Sequence, residues 1–580
     1  MSKARTALTV ALAVALCVFT WLFKFNNPQG SFAGLTDDHF FYLIRGWQIL
    51  FGDLPVRDFV DHGAPLFYYV GAAVQAVLGR GTLSEIYFCV TVLAVCAGLV
   101  FWLSATASGS ILVGLAAGLL HVLLDARLYN YPKILVYAVA IPLLWRFCDA
   151  PGAAIRSWLA VVTVIGFLFR HDHGAFVAVA VATALLAMER LSWTERLKHA
   201  VLYGVTVLAL LAPYLWFIQS HGGVRSYFEQ AMAWAERDRD RAPVVFPGPF
   251  EYPDGTTDTA GAGLLGRGVA AVGDNIVAWT YYAELALPLV ALYLLAQSPT
   301  AFRPRWPQAR AKMLTVAVLA LVLDAGFLRS PLGARLADPS VPLAILLAWA
   351  IVALVRLFVV RADLGPSARS FPWLPRVVAL ALVAPLVFVF GVGMSRNVYR
   401  RLDQSGLTDR FGKGFERVGT VSAQLAADWR LETWQDRPSR PELLDLSFYV
   451  SACTRPTDRI LVQAYLPQVT AMARRAFAGG HADLRPGFFT SESAQRLTVA
   501  RLERQSVPIV LLDTGESLEG FRESFPIVTA YIDRHYRAAG ERTFDGRFGI
   551  TLFVRRDRRP QGTYKPFGWP CYGSGVVGAS

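Results

Sequence analysis

Long apolar runs fill the first two thirds of the chain and stop near residue 395. Several of these runs are shorter than the roughly 20 residues that a perpendicular membrane helix needs, so we expect some of them to tilt or re-enter. The pattern predicts a bundle of membrane helices. The candidate segments are 7–23, 64–79, 84–106, 109–126, 132–148, 157–169, 174–190, 199–219, 275–297, 312–329, 340–362 and 374–395.

Short loops rich in arginine and lysine separate some of these runs and indicate the cytoplasmic side. The clearest contain Arg190, Arg196 and Lys198; Arg303, Arg305, Arg310 and Lys312; and Arg361, Arg369 and Arg376. Counting outward from them places residues 171–174, 220–274, 329–339 and everything after 396 outside, whereas residues 24–63 are placed outside by a cytoplasmic N-terminus. Five candidates lie between 24–63 and 171–174, where an even number must cross. One segment between 64 and 131 is therefore expected not to cross, which leaves about 11 spans within a range of 11–13.

The first apolar run follows Lys3 and Arg5 and is not followed by a small-x-small cleavage pattern. It therefore indicates an uncleaved first helix with its N-terminus in the cytoplasm. Composition agrees with a membrane location, since 54% of the 580 residues are hydrophobic and the mean hydropathy is +0.40. The net charge of +13 comes largely from loop cations, so nucleic-acid binding is not expected.

Residues 440–557 have the composition of a soluble region. Short apolar strands at 459–464, 508–513 and 549–554 alternate with helical patterns, which predicts a small α/β domain. The region contains neither a G-x-G-x-x-G sequence nor a phosphate-binding loop, so nucleotide binding is not expected. Cys453 and, beyond the region, Cys571 either form a disulfide, if this part of the chain is extracytoplasmic, or remain two thiols.

Residues 38–51 differ from the spanning runs. Their apolar positions 40, 43, 44, 47 and 51 recur on one helical face, with Arg45 and Gln48 opposite. This pattern predicts a helix that lies in the membrane interface.

Charged side chains are costly at membrane depth, so those near the outer ends of the spans are candidates for function. Four clusters are expected to converge there: Asp37 and Asp38 with RDFVDHGAP (57–65), YNYPK (129–133), RHDHG (170–174) and RSPLGAR (329–335). Carboxylates can serve as the general base for a hydroxyl acceptor, and cations can receive an anionic phosphate leaving group. A lipid-linked donor fits this face, because nucleotide sugars are cytoplasmic.

The segment from Asp37 through Leu66 resembles the first outer loop of the C-type (GT-C) glycosyltransferases, in particular the bacterial branch similar to protein O-mannosyltransferases and the lipid A aminoarabinose transferase. YPK at 131–133 and RHDHG at 170–174 also resemble that branch. The likeness covers residues 1–200 and the C-terminal region only in outline. It implies inverting transfer of one sugar from a polyprenyl-phosphate carrier to a protein, lipid or polysaccharide acceptor at the outer face of a bacterial inner membrane.

The resemblance also assigns roles to residues. The catalytic carboxylate maps onto Asp37 or Asp38, where this chain has Asp-Asp in place of the family's usual Asp-Glu, and a second acid maps onto Asp172. A reaction without cofactor or metal is implied, although the oligosaccharyltransferase branch uses a divalent ion. The residues expected to bind the lipid phosphate or substrate are Arg57, His62, Tyr131, Lys133, Arg170, His173 and Arg329.

The combined expectation is an all-α polytopic membrane bundle of GT-C type with a small C-terminal extracytoplasmic α/β domain. Its predicted parts are a transmembrane catalytic module (1–395) with outer loops at 24–63 and 220–274, a linker (396–439), the soluble domain (440–557) and a tail (558–580). The expected partners are the polyprenyl-phosphate-linked sugar, its acceptor and membrane lipids.

Two other classes of function stay open. A flippase-type transporter of lipid or glycan would need a polar path through the bundle, and a non-catalytic envelope assembly protein would tolerate loss of Asp37 and Asp38. Individual residues also have simpler structural interpretations, such as helix capping for the two aspartates and interface anchoring for Lys133.

Overall fold

A computed structural model describes the chain except for residues 1–2, 31, 242–245, 250–268, 271, 298–306, 329–334, 360–373, 409–410, 436, 438–439 and 574–580. Arg329, one of the predicted phosphate ligands, lies outside the described residues.

Helices make up most of the described chain, and each of the twelve predicted apolar segments forms one. In chain order the helices are α1 (Lys3–Phe25), α2 (Asp37–Leu50), α3 (Pro65–Leu78), α4 (Thr82–Ser108), α5 (Ile111–Leu123), α6 (Tyr131–Asp149), α7 (Ala153–Phe169), α8 (His171–Ala187), α9 (Trp193–Ser220), α10 (Val224–Arg241), α11 (Ile276–Gln297), α12 (Ala309–Asp324), α13 (Ser340–Val359), α14 (Leu374–Ser405), α15 (Phe411–Asp428), α16 (Leu443–Cys453), α17 (Pro467–Met472), α18 (Glu492–Arg504), α19 (Glu516–Ser524) and α20 (Pro526–His535).

Seven of the described helices are long and apolar enough to cross a membrane, and shorter apolar helices such as α5, α7 and α8 accompany them. The chain is therefore a multi-pass membrane protein. By its contacts it divides into two compact units. Unit 1 comprises residues 1–27, 87–213 and 239–419, and unit 2 comprises residues 28–86, 214–238 and 420–580. The predicted boundaries at 395, 440 and 557 stay predictions.

Ion pairs connect the ends of several helices at one face of unit 1. Lys24, at the end of α1, lies 2.7 Å from Asp125, which follows α5 and also pairs with Arg401 near the end of α14. Lys133, in the first turn of α6, lies 2.6 Å from Asp338, which precedes α13. These contacts define the ion-pair face of unit 1.

The other ends of the same helices meet at the opposite face of unit 1. Arg5 in α1 donates to the carbonyl of Gly109, between α4 and α5, at 2.6 Å. Lys312 in α12 pairs with Asp149 at the end of α6, and Arg310 pairs with Glu189 beyond α8. Arg310 and Lys312 belong to a predicted cytoplasmic loop, so the positive-inside bias predicts that this face is the cytoplasmic one.

The connection from α1 to α4 passes through unit 2, which contains α2 and α3. The predicted total of about 11 spans stays a prediction, as does the expectation that one segment between 64 and 131 does not cross.

Unit 2 contains a five-stranded sheet with the order β2-β1-β3-β5-β4, formed by β1 (Arg459–Val462), β2 (Ala476–Phe477), β3 (Ile509–Asp513), β4 (Tyr536–Phe544) and β5 (Phe548–Arg555). β1 is parallel to β2 and β3, whereas β5 is antiparallel to β3 and β4. The predicted strands are confirmed as β1, β3 and β5. β6 (Gly562–Tyr564) and β7 (Trp569–Cys571) form a separate ribbon.

Side chains alternate between the two faces of this sheet and build two cores. Ile460 and Val462 of β1 join one core, while Leu461 between them joins the other, as the period of two in a strand requires. Cys453 and Cys571 form a disulfide at the first core, which selects one of the two alternatives left open by the sequence.

The α2 helix forms as predicted but is buried on both sides within unit 2. Arg45 and Gln48, on the side opposite the apolar face, are each only 1% exposed. Gln48 accepts from the backbone N–H of Phe477 and donates to its carbonyl, and Asp53 pairs with Arg459. The first loop is thus held against the sheet by polar contacts, which an amphipathic pattern alone does not indicate.

Candidate functional site

The ion-pair face of unit 1 holds a buried ammonium–carboxylate pair. Pro132 occupies the first turn of α6, where its missing N–H costs nothing, and Lys133 follows it. The Lys133 ammonium donates to Asp338 at 2.6 Å, and Asn130 donates to the other carboxylate oxygen at 3.0 Å. Lys133 and Asp338 are both buried. The pair therefore fixes the start of α6 against the start of α13.

A second charged group lies at the junction of α7 and α8. Arg170, in extended conformation, donates through Nε to Asp172 at 2.7 Å. His173 is buried and shares a 2.7 Å hydrogen bond with the Tyr137 hydroxyl. Helices α7 and α8 approach each other closely at Gly174, where a side-chain Cβ would lie only 2.5 Å from the Cβ of Phe167.

These two groups belong to one cluster. The charges of Arg170 and Asp172 act on Lys133, and the Tyr131 ring meets Phe169 edge-on at 6.0 Å. Five of the predicted site residues therefore come together in unit 1: Tyr131, Lys133, Arg170, Asp172 and His173.

The predicted catalytic aspartates lie in unit 2, in the first turn of α2. Asp38 accepts a 2.8 Å hydrogen bond from the Tyr465 hydroxyl. Asp37 is exposed at the surface of the described chain. Although the residue as a whole is exposed, nearby protein atoms partly desolvate its carboxyl group, and this desolvation, with repulsion from Asp38, raises the pKa of Asp37 above the usual aspartate value. The two adjacent acids thus have different environments.

Tyr465 is itself held from two sides. Its ring packs against Phe41 at 5.3 Å, and the Arg485 guanidinium lies 4.9 Å from its centroid. Arg485 in turn pairs with Asp483. Burial and the neighbouring Asp38 raise the pKa of Tyr465, so its hydroxyl keeps its proton and donates.

His62 and Arg57 occupy other parts of unit 2. His62 contacts the rings of Phe41, Trp234 and Phe489. Burial, with the charges of arginines such as Arg45, holds the pKa of His62 well below its usual value, so the imidazole is neutral. Arg57 is largely exposed and pairs with Asp58 at 2.6 Å.

Several residues with direct polar roles were not identified from the sequence. Asp338 lies three residues beyond RSPLGAR (329–335), one of the clusters predicted at the site. Tyr465 lies in a region to which the sequence assigned no role. Asp61 belongs to the predicted cluster at 57–65, but the sequence assigned it no role of its own. It is buried and accepts from the hydroxyls of Tyr214 and Tyr227 at 3.1 and 2.8 Å. A carboxylate directly before a span is a signal that could have pointed to Asp338. No sequence signal marks the other partners, because the contacts join distant segments.

The arrangement supplies the elements of group transfer from a phosphate, in two units. Unit 2 offers two adjacent carboxylates, one with a raised pKa and one oriented by a tyrosine. Unit 1 offers Lys133 and Arg170 at the ends of membrane helices. Convergence of these groups on one substrate stays a prediction.

No protein-family model and no curated protein sequence matches the chain. Among solved structures, the chain is similar to the crystal structure of ArnT from Cupriavidus metallidurans bound to undecaprenyl phosphate. The identity is 14%, the match covers 95% of this chain and 98% of that chain, and the TM-score is 0.46. At these values the likeness supports no statement about substrate or mechanism.

Proposed function

We propose that the chain is a membrane glycosyltransferase that moves a sugar from a polyprenyl-phosphate carrier to an envelope acceptor. The observation that carries the proposal is the cluster around Lys133 and Arg170, two cations held at the ends of membrane helices. Cations are rarely placed at such depth without a function. A lipid phosphate carries its charge at this level of the bilayer, so it is a suitable ligand.

In the proposed reaction, a hydroxyl oxygen of the acceptor attacks the anomeric carbon while the bond from that carbon to the phosphate oxygen breaks. The hydroxyl proton passes to a carboxylate, for which Asp37 is the better candidate because its raised pKa makes it the stronger base. The polyprenyl phosphate leaves as an anion, and Lys133 and Arg170 stabilise that charge. Attack from the opposite side inverts the anomeric centre.

Asp38 would position the first-loop acids through Tyr465, and Asp172 would orient Arg170. Tyr131, His173, His62 and Arg57 would contribute to substrate binding, as would Arg329 outside the described residues. The proposed reaction uses no cofactor and no metal.

We place the protein in a bacterial inner membrane, with its N-terminus in the cytoplasm and unit 2 outside. Two observations support this orientation. The loop cations Arg310 and Lys312 lie at the opposite face from Lys133. In addition, Cys453 and Cys571 are joined in unit 2, and disulfides persist in oxidising compartments.

The test compares envelope glycans, by mass spectrometry, in cells that lack the gene and in cells that carry it again as wild type or as the Asp37→Asn/Asp38→Asn double variant. We expect the wild type to restore a saccharide and the double variant to lose it. Glu516→Gln/Glu519→Gln is the matched control, because it removes two exposed acids from the first turn of another unit 2 helix. Restoration by the aspartate double variant at normal protein level would refute the proposal.

A transporter is the second candidate, and one observation favours it. Glu284 in α11 and Asp324 in α12 are buried in the membrane bundle, and neither carboxyl group has a hydrogen-bond partner among the described residues. Intramembrane acids of this kind occur in proton-coupled carriers. If transport is the function, Glu284→Gln/Asp324→Asn abolishes the restored phenotype while the aspartate double variant of the first loop keeps it.

A further inference from the structure

Unit 2 contains a cavity of about 230 Å³, lined in part by His62, to which the proposed reaction assigns no particular substrate. Its walls come from residues 56–62 of the first loop, from the turn between α9 and α10 with the start of α10, and from α18. Sites for drug-sized ligands have about 300–1,000 Å³, so this cavity suits something smaller, such as a single ring.

One wall of the cavity is aromatic. The His62 ring meets Trp234 edge-on at 5.3 Å and Phe489 edge-on at 5.6 Å, and His481 meets Phe489 at 5.5 Å. Aromatic faces attract the slightly positive C–H groups of a saturated ring, because the ring quadrupole is negative on its faces.

Polar groups lie beside the aromatic wall of the cavity. Asp61 lines the cavity, and its carboxylate accepts four hydrogen bonds, from the backbone of Gly63 and Ala64 and from the Tyr214 and Tyr227 hydroxyls. These donors compensate the charge of Asp61. The buried His62 Nδ1 has no hydrogen-bond partner among the described residues. Since the His62 imidazole is neutral, a hydroxyl group can exchange a hydrogen bond with it.

Arg501 is the only lysine or arginine among the described residues that line the cavity. Its Nη2 donates to the carbonyls of Val56 and Arg57 at 3.3 and 2.9 Å, and its buried Nε has no partner among the described residues. Because Nη2 is bonded to two carbonyls, Arg501 cannot present that nitrogen to a phosphate, whereas its Nε N–H remains for a neutral oxygen. An apolar ligand would leave both Nε and His62 Nδ1 unsatisfied.

The backbone around the cavity is also unusual. Val56 and Phe489, on different segments, both have positive φ angles, 71° and 56°. Such a φ is rare for a β-branched residue and costs free energy that the surrounding structure must supply. Both residues line the cavity, where strained residues often hold ligands.

We propose that this cavity binds one neutral sugar ring of the acceptor, so that the acceptor is a glycan and not a protein hydroxyl. The inference rests on the proposed transferase function and adds the chemical class of its second substrate. The donor is assigned elsewhere, since its phosphate needs the cations of unit 1.

The experiment measures binding without catalysis. Full-length protein in lipid nanodiscs is mixed with the methyl glycosides of glucose, mannose, galactose and N-acetylglucosamine, and binding is detected by saturation-transfer difference NMR, with glycerol as the non-cyclic control. We expect at least one glycoside to bind in the millimolar range. Trp234→Ala should weaken that binding at least about fivefold, because it removes an aromatic contact.

A second variant guards against misfolding. Ser493 is an exposed residue on the cavity rim, so Ser493→Trp fills the space without disturbing a core. It should abolish binding, whereas Trp193→Ala, at an exposed tryptophan of unit 1, should bind as the wild type does. If no glycoside binds, or if Trp234→Ala and Ser493→Trp bind normally, the inference is wrong.

The same set of variants separates this inference from the proposed function. Asp37→Asn/Asp38→Asn should bind the glycoside normally but form no product. Sugar binding by a wild-type protein that makes no glycan would refute the transferase alone. Glycan synthesis by Trp234→Ala and Ser493→Trp with an unchanged acceptor KM would refute the cavity assignment alone.

Discussion

The ammonium group of Lys133 lies 2.6 Å from a carboxylate oxygen of Asp338, although 205 positions separate the two residues along the chain. Both are buried among membrane helices. The pair joins the starts of α6 and α13, and the charge of Arg170 acts on Lys133. Lys133 therefore has a structural role in its pair with Asp338 and a proposed role in binding the lipid phosphate. Variants can separate the two roles.

Lys133→Met should destabilise the protein by about 3–5 kcal/mol, because it leaves the Asp338 carboxylate buried without its partner. The double variant Lys133→Met/Asp338→Leu should regain most of this stability, since it removes both charges. Thermal unfolding in detergent measures the change. If Lys133 binds the lipid phosphate, the stable double variant still forms no glycan. Activity in that double variant would contradict the phosphate role.

Asp37→Asn should reduce transfer by about 10²–10⁴-fold, as expected for loss of a general base. Asp38→Asn and Tyr465→Phe should have smaller effects, because they alter the position of the acids and not the base itself. Initial rates with purified protein and a polyprenyl-phosphate sugar test this order. The reverse order would assign catalysis to Asp38.

The rate should rise with pH on the acidic side, because the base acts only when deprotonated. The raised pKa of Asp37 places this rise above the usual aspartate range. In Asp38→Asn the repulsion between the two carboxylates is gone, so the rise should move to lower pH. A pH–rate profile of both proteins provides the measurement, and an unmoved profile would exclude Asp37 as the titrating base.

The disulfide between Cys453 and Cys571 closes a separation of 118 residues. Replacing both by serine should cost about 2–5 kcal/mol of stability. Alkylation followed by mass spectrometry should find these two cysteines protected until reduction. Cys96 and Cys148 are buried free thiols and provide the internal comparison after unfolding without reductant. Alkylation of Cys453 under that condition would show that the bond is absent.

Unit 2 should lose stability as the pH falls below 6.5. Burial, with the charge of Arg501 next, lowers the pKa of His481 from 6.5 to about 3. The unfolded chain therefore binds a proton that the folded chain does not, and stability falls by about 1.4 kcal/mol per pH unit through this window. His481→Gln should reduce that slope, whereas His221→Gln, at an exposed histidine, should not. Thermal unfolding at pH 7 and pH 5 compares the three proteins.

The sequence by itself determined the helices of the bundle and the main strands of unit 2. Apolar runs of spanning length can be satisfied in a bilayer only by helices, so α1, α4 and α9 follow from composition alone. Short apolar segments that alternate with helical patterns indicated β1, β3 and β5. The edge strand β4 was missed, because most of its central side chains are polar or exposed and carry no apolar signal.

Only the tertiary structure decided which distant groups meet. Lys24 meets Asp125 although 101 positions separate them, and Arg5 meets the carbonyl of Gly109 across 104 positions. Arg45 was expected on the polar side of an interfacial helix, yet it is buried with its guanidinium carbon 3.4 Å from the centre of the Phe41 ring. Local patterns report the preference of one segment for its surroundings. They do not report which other segment supplies those surroundings, and ion pairs such as Lys133 with Asp338 depend on that choice.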